Sequence, residues 1–309
     1  MGTDLEKYPL VTVYTCVYNG ARTISRVFES LQELDYPNVE HVIVNDGSVD
    51  DTEKLIEQYL ITAKFPVKYY KKEHGGKHTA LNAAWNIAEG EFLIQLDADD
   101  RLYPHAIKHL LNVYYQIPEE IRSQYWCVHG RCVTQYGNFV GDKYPTDINS
   151  LHWEEAGKIA SKCKGDKCGL QVRQYLNKYR FPEIIGPSHL PEGIIWTQID
   201  KEYGTWYTND VVLVYYVNEG GNLTAKRDAR KQYAPTCYSY KWKIMNPQLY
   251  PKSVVYLIKY SLFFYVADED YRKNNAYFKD LERYKLVLSL LRLITRPGAI
   301  VFRWLKRLH

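Results

Sequence analysis

Asp97, Asp99 and Asp100 stand together in the stretch Asp97-Ala98-Asp99-Asp100, directly after the run Phe-Leu-Ile-Gln-Leu. Carboxylates at i and i+2 beyond the end of a buried strand can bracket a hard cation and a ribose. Mg²⁺ or Mn²⁺ takes oxygen ligands and commonly shares them with substrate phosphates. A cation in that position stabilises the charge that builds on a diphosphate as its bond to a sugar breaks. The plainer reading is a solvated acidic cap for a helix after Pro104, a job that suits Asp100.

Three further polar groups follow three other apolar runs. Asn19 comes after Leu10 to Val17, Asp46 after Val39 to Val44, and His74-Gly75-Gly76-Lys77 after Val67 to Tyr70. Between these runs the apolar residues recur at helical spacing: Ile24, Val27, Phe28 and Leu31; Leu55, Ile56 and Tyr59; Leu81, Ala84, Trp85 and Ala88; Ile107, Leu110, Leu111 and Tyr114. Asp50 or Asp51 can cap the second of these helices. Strict alternation of strand and helix predicts an α/β fold with a mostly parallel sheet flanked by helices. Ligands of such sheets sit at the carboxyl ends of the strands, where all four polar groups fall.

Beyond about residue 125 the pattern changes. Trp126 to Thr134, Phe139 to Val140 and Val211 to Val217 read as strands, and residues from about 250 onward as helices. No linker or internal repeat breaks the chain. Residues 1–235 are expected to form the catalytic domain and 236–309 a helical C-terminal extension.

Composition narrows the classes. The chain has 309 residues, with a net charge of +4, too mild to argue for nucleic acid as a partner. There are 29 tyrosines, whose flat faces suit sugar and base stacking, although filling core and surface positions accounts for most of them. The 6 cysteines have no disulfide spacing, and Cys163 and Cys168 in Lys-Cys-Lys-Gly-Asp-Lys-Cys lack two further ligands for zinc. A reducing cytoplasm fits this usage, and no secretory leader is read before the first strand. Asn222-Leu223-Thr224 has the form of a glycosylation acceptor, incidental in that setting.

No apolar run is long enough to span a bilayer. From Arg283 to His309 there is no acidic residue, yet Arg283, Lys285, Arg292, Arg296, Arg303, Lys306 and Arg307 are present. Val301, Trp304, Leu305 and Leu308 share one helical face. That pattern fits peripheral contact of a basic tail with anionic lipid at the inner face of the cell membrane, or a terminal helix packed on the body.

The order Thr15-Cys16-Val17-Tyr18-Asn19, Val44-Asn45-Asp46-Gly47-Ser48, His74-Gly75-Gly76-Lys77 with Ala80 and Asn82, and Asp97-Ala98-Asp99-Asp100 resembles the signature of family 2 glycosyltransferases. The likeness is strong over residues 8 to 115. It continues more loosely through Gly130 to Pro145, Pro191-Glu192-Gly193 and Trp196. It implies a GT-A fold and a metal-dependent, inverting transfer of sugar from a nucleotide-diphosphate donor, UDP-sugar favoured, to a saccharide or lipid-linked saccharide. Surface polysaccharide or glycolipid synthesis is the implied setting.

By that resemblance Thr15, Tyr18 and Asn19 belong to the nucleotide site, with Thr15 and Tyr18 at the base and ribose. Asp46 would accept the base ring N–H and Lys77 lie near the diphosphate. Asp97 would face ribose or metal, Asp99 bind the metal, and Asn82 brace the loop. Family members often carry two acids before the glycine; here the first is Asn45, which leaves guanine and thymidine donors open. The resemblance makes Glu192 the general base that takes the proton of the attacking hydroxyl, with Asp200 and Glu202 as rivals and helix capping as the plainer role. Trp196, one turn on, would stack on an acceptor sugar. His189 is a weaker metal candidate, and Arg131 would lie near the donor sugar or pair with a carboxylate.

Two other classes compete. A sugar-phosphate nucleotidyltransferase needs a Gly-rich basic loop after strand one, where this chain has a single Gly20. A non-catalytic nucleotide-sugar-binding protein is disfavoured by the presence of Asp97, Asp99 and Glu192. Neither a dinucleotide fingerprint nor a phosphate-binding kinase loop is present.

Overall fold

A computed structural model describes residues 8–184, 189–217, 233–247, 253–267, 269–277 and 280–305. The chain divides into two compact units. The first comprises Met1–His74, Thr79–Phe181 and Ile195–Ala225; the second comprises Gly75–His78, Pro182–Ile194 and Lys226–His309.

The first unit is built on β1 (Val11–Val17), β2 (Val39–Asn45), β3 (Val67–Lys71), β4 (Phe92–Gln95), β5 (Arg101–Leu102), β6 (Tyr125–Thr134), β7 (Lys167–Val172) and β8 (Gly204–Tyr215). They form one sheet in the order β3-β2-β1-β4-β7-β6-β8-β5. Strands β1 to β4 are mutually parallel, as the alternation predicts. Strand β7 enters antiparallel between β4 and β6, so the sheet as a whole is mixed. Helices α1 (Ser25–Gln32), α2 (Thr52–Thr62), α3 (Lys77–Ile87), α4 (Ala106–Gln116), α5 (Glu119–Arg122), α6 (Trp153–Ala160), α7 (Arg173–Leu176) and α8 (Gly193–Ile199) occupy the intervals.

Every residue of β2 is buried, and so is all of β1 apart from the half-buried Cys16. That explains their near-continuous apolar sequence, because a parallel strand covered on both faces has no water side. Strand β2 also buries three polar residues, Glu40, His41 and Asn45, of which Glu40 carries the charge that needs support. Its Oε1 accepts from Thr12 Oγ1 at 2.5 Å and from the backbone N–H of Glu89 at 2.6 Å, and Lys68 pairs with Oε2 at 2.8 Å. Burial alone would raise its pKa; the Lys68 and Thr12 bonds outweigh that and hold it below the usual carboxylate value.

His41, also on β2, lies beneath α1 and α2 and is fully buried. Phe28 of α1 stacks on Tyr59 of α2 at 4.0 Å, and both rings meet the imidazole edge to face. Burial pushes the His41 pKa down to about 3. The unfolded chain gains a proton here below its ordinary value of about 6.5, while the folded chain refuses it until about 3. Stability is therefore full above 6.5 and falls with acid by up to about 1.4 kcal/mol per pH unit. Urea unfolding at pH 7, 6 and 5 checks this: wild type should show that extra slope over His41→Gln, and equal slopes would remove His41 as the cause.

Two elements depart from the sequence pattern. The strand expected at Phe139 to Val140 is only a single bridge between Phe139 and Val133. Strand β7 has no counterpart among the strands expected from sequence, although Cys168, Leu170 and Val172 alternate with Lys167, Gly169 and Gln171 along it and are buried. Its Gly169 sits where a Cβ would lie 2.7 Å from Cys127 Sγ, so close strand approach explains the glycine. Asp100 does not cap α4, whose N-cap residue His105 makes no side-chain cap bond.

In the second unit, α9 (Tyr233–Met245), α10 (Ser253–Val266), α11 (Glu269–Asn274) and α12 (Lys285–Leu305) supply every described element from Tyr233 onward apart from one short 3-10 turn. Cys237, Ile244, Leu257, Tyr260, Phe264 and Leu288 form its core. Tyr260 donates to the Tyr277 carbonyl at 2.5 Å, so part of the tyrosine surplus is structural. The segment Asn222-Leu223-Thr224 lies outside the described residues.

Candidate active site

The carboxyl ends of β1 and β2 are laced into one lip. Asn19 takes a left-handed backbone (φ 51), which a short amide side chain tolerates. Its N–H donates to Ser48 Oγ and its Oδ1 accepts the Val49 N–H, each at 2.9 Å. Gly20 N–H donates to Thr52 Oγ1 at 2.8 Å, and Asp50 accepts from both Ala21 and Thr52. Asp50 thus serves the start of α2, while Asp51, the N-cap residue, makes no side-chain cap bond. Asn45, at the position where an acid is common, is buried and braces the turn through the Ser48 N–H at 2.9 Å.

Asp46 lies under this lip, 2% exposed. Lys72 Nζ stands 2.6 Å from Oδ1 and His74 Nδ1 2.9 Å from Oδ2. The His74 ring stacks on Tyr18 at 3.9 Å between centroids, 23° apart, and Tyr18 is 46% exposed. The result is an open aromatic shelf whose imidazole is set by a buried carboxylate. A flat heterocycle with ring N–H donors suits such a shelf. Lys72 was not singled out in the sequence, since only the β2–β3 pairing brings it to Asp46.

Gly47 follows at φ 73, and a Cβ there would lie 2.7 Å from the backbone nitrogen of His74. Gly47→Ala should therefore shift His74 and weaken nucleotide binding about tenfold or more, a cost of one strained residue of order 1–3 kcal/mol. Calorimetric titration checks it, and unchanged affinity would detach the shelf from binding.

At the end of β4, three carboxylates crowd one edge. Asp97 accepts from Gln95 Nε2 at 3.2 Å, the Asp99 carbonyl accepts from Arg26 at 3.3 Å, and Asp100 accepts the Tyr216 N–H at 3.1 Å. The Arg26 guanidinium lies 4.1 Å over the Tyr216 ring. Burial raises the Asp100 pKa to about 8, and the charges of Asp97 and Asp99 add to the rise. Asp97 and Asp99 are half-buried. No group of three or more metal-ligating side chains occurs among the described residues. A cation that draws the rest of its oxygens from a diphosphate needs fewer protein ligands than that. Oxygen donors and an excess of negative charge at one edge fit Mg²⁺ or Mn²⁺.

Four of the residues considered from sequence have clear surroundings. Thr15 is fully buried, and its hydroxyl meets His41 Nε2 at 3.2 Å inside the core, so its side chain is turned away from a ligand. Trp196 is half-buried, and its ring stacks on Trp126 at 5.4 Å and tilts against Trp85 at 5.9 Å, so part of its surface is taken up in packing. Asp200, the rival base, accepts the Trp126 indole N–H at 2.9 Å. Asn82 braces rather than binds, exchanging two 2.9 Å bonds with the backbone of Phe181.

In the second unit, Lys77 Nζ pairs with Glu192 Oε1 at 2.9 Å, both side chains partly exposed. Glu192 stands just before α8, whose first turn is closed by the Ile194 N–H to the Pro191 carbonyl.

Residues 12–146 match the family described as Glycosyl transferase family 2. A chondroitin synthase of Pasteurella multocida is 36% identical over 106 residues, 34% of this chain and 11% of that protein. The chain spans about a third or less of the length of the curated relatives it matches. Among solved structures, S. aureus TarS 1-349 in complex with UDP-GlcNAc is similar with a TM-score of 0.56 and 19% identity, covering 94% of this chain and 79% of that one. The mannosyltransferase PcManGT of Pyrobaculum calidifontis, in complex with GDP-Man and Mn²⁺, gives a TM-score of 0.54 and 19% identity, covering 97% and 87%.

Proposed function

Residues 12–146 being a family 2 glycosyltransferase domain on a GT-A fold, we propose that the chain transfers a sugar, with inversion, from a nucleoside-diphosphate sugar to a hydroxyl of a saccharide or lipid-linked saccharide. A role in surface polysaccharide or glycolipid synthesis follows the kind of relatives it has. The observation that carries the reading is the acidic edge of Asp97, Asp99 and Asp100 on the same sheet edge as the Tyr18–His74 shelf.

In this account the nucleobase stacks on the exposed Tyr18, whose ring is in turn backed by His74. Asp46 keeps His74 and Lys72 in place through its contacts with both and shares a lone pair with a ring N–H of the base. A uridine donor suits a single ring N–H. Asn19 shapes the turn through both its backbone N–H and its Oδ1. Asp99 and Asp97 would hold Mg²⁺ or Mn²⁺, which when bound neutralises charge on the departing diphosphate. Asp100 holds the Tyr216 backbone behind them. Glu192 takes the proton of the attacking hydroxyl, and Lys77 orients its carboxylate.

The test is a donor panel. The chain is incubated with Mn²⁺ and individual UDP-, GDP- and dTDP-sugars, and free nucleoside diphosphate is measured. Slow metal-dependent release from one donor is expected. Binding without release, across a broad acceptor panel, would favour a binding protein instead.

A further inference from the structure

Helix α10 is apolar on both of its sides. Leu257, Tyr260 and Phe264 point into the core of the second unit. On the opposite side Val254 is 66% exposed, Val255 46%, Ile258 48% and Leu262 44%, with Lys259 as the one charged residue of the helix. A helix apolar all round is ordinarily covered on all sides.

Helix α12 repeats the arrangement. Leu288 is buried and Leu291 half-buried against the same core. Leu286, Val287, Leu290, Leu293 and Ile294 form a stripe at i, i+1, i+4, i+7 and i+8 on the far side, exposed by 77%, 43%, 59%, 72% and 74%. Lys285, Arg292 and Arg296, at i, i+7 and i+11, flank that stripe along a second line. No acidic residue occurs from Lys285 to the end of the chain. No helix among the described residues is long and apolar enough to cross a membrane.

We propose that the outer faces of α10 and α12 form an in-plane docking surface for an anionic lipid bilayer, with the leucine and isoleucine side chains in the acyl boundary and the flanking cations at the headgroups. Charge decides the occupant. An interfacial helix pairs a wide apolar stripe with flanking Lys and Arg, and anionic headgroups supply the opposite charge that this acid-free helix lacks. A second copy of the same face would set cation against cation. The inference stands apart from sugar transfer, and its readout is binding.

The full chain is floated with vesicles of pure phosphatidylcholine and with vesicles containing about a third phosphatidylglycerol, at low and high salt. Binding is expected on the anionic vesicles, weakened by salt and small on the neutral ones. Arg292→Glu/Arg296→Glu should lose more than tenfold in binding, since each basic residue near such a surface contributes roughly fivefold. Leu290→Ser/Leu293→Ser should lose binding at both salt concentrations. Circular dichroism melts of both variants establish that they fold. Absence of flotation of wild type on anionic vesicles, equal flotation of the variants, or a concentration-dependent dimer in sedimentation that both leucine changes abolish would overturn the proposal.

Discussion

Glu192→Gln should leave the dissociation constant for the donor within about twofold of wild type and lower turnover by two orders of magnitude or more, the usual contribution of a general base. Glutamine keeps the shape and still offers an oxygen to Lys77, which stands 2.9 Å from the carboxylate. What it loses is the capacity to take a proton from the acceptor hydroxyl. Steady-state kinetics with saturating donor and acceptor, alongside donor titration, separate the two effects. Turnover within a few-fold of wild type would move the base elsewhere. Asp200 is poorly placed to inherit the role while it holds the indole of Trp126.

Asp99→Ala should remove the dependence of donor affinity on metal. In wild type, Mn²⁺ is expected to tighten nucleotide binding, because a cation at this edge joins carboxylate oxygen to diphosphate oxygen. The variant should bind nucleotide with the same affinity with and without Mn²⁺. The Tyr18–His74 shelf does not involve Asp99, so weak metal-free binding should persist. Calorimetry of both proteins with and without Mn²⁺ decides it, and an undiminished metal effect in the variant would refute the assignment.

The parallel half of the sheet was legible because its signals are local. A strand buried on both faces must read as an apolar run, and β1, β2 and β4 do. The acidic stretch after β4 and Asp46 after β2 therefore fall at the carboxyl ends of these strands. Thr15 shows the limit of that reading. It stands in β1, three residues before Tyr18 of the following turn, and the two-residue period of the strand puts its side chain with Val13 and Val17, under α1 and α2, where it meets His41. A motif names positions and does not say which side of the sheet each faces.

Other parts depend on partners distant in sequence. Lys72 reaches Asp46 only through the pairing of β2 with β3, and Trp196 meets Trp126 only once α8 is in place. Strand β7 does alternate, with Cys168, Leu170 and Val172 apolar, but that period does not say that it enters antiparallel and breaks the parallel order. On the C-terminal helix the sequence pointed to a face at Val301, Trp304, Leu305 and Leu308, whose side chains lie outside the described residues. The apolar stripe found exposed lies earlier, from Leu286 to Ile294. Periodicity detects a stripe but does not tell an inward one from an outward one, and α12 has both.

The central claim is that a cation held by Asp99 touches the diphosphate of a nucleotide whose base rests on Tyr18, backed by His74. Crystals grown with Mn²⁺ and the nucleoside diphosphate released in the donor panel, measured at the manganese absorption edge, address it directly. The account predicts one anomalous peak within ligand distance of both an Asp99 oxygen and a phosphate oxygen, with the base stacked beside Tyr18. A nucleotide bound away from the Asp46 shelf, or a manganese ion with no contact to Asp99, would contradict it.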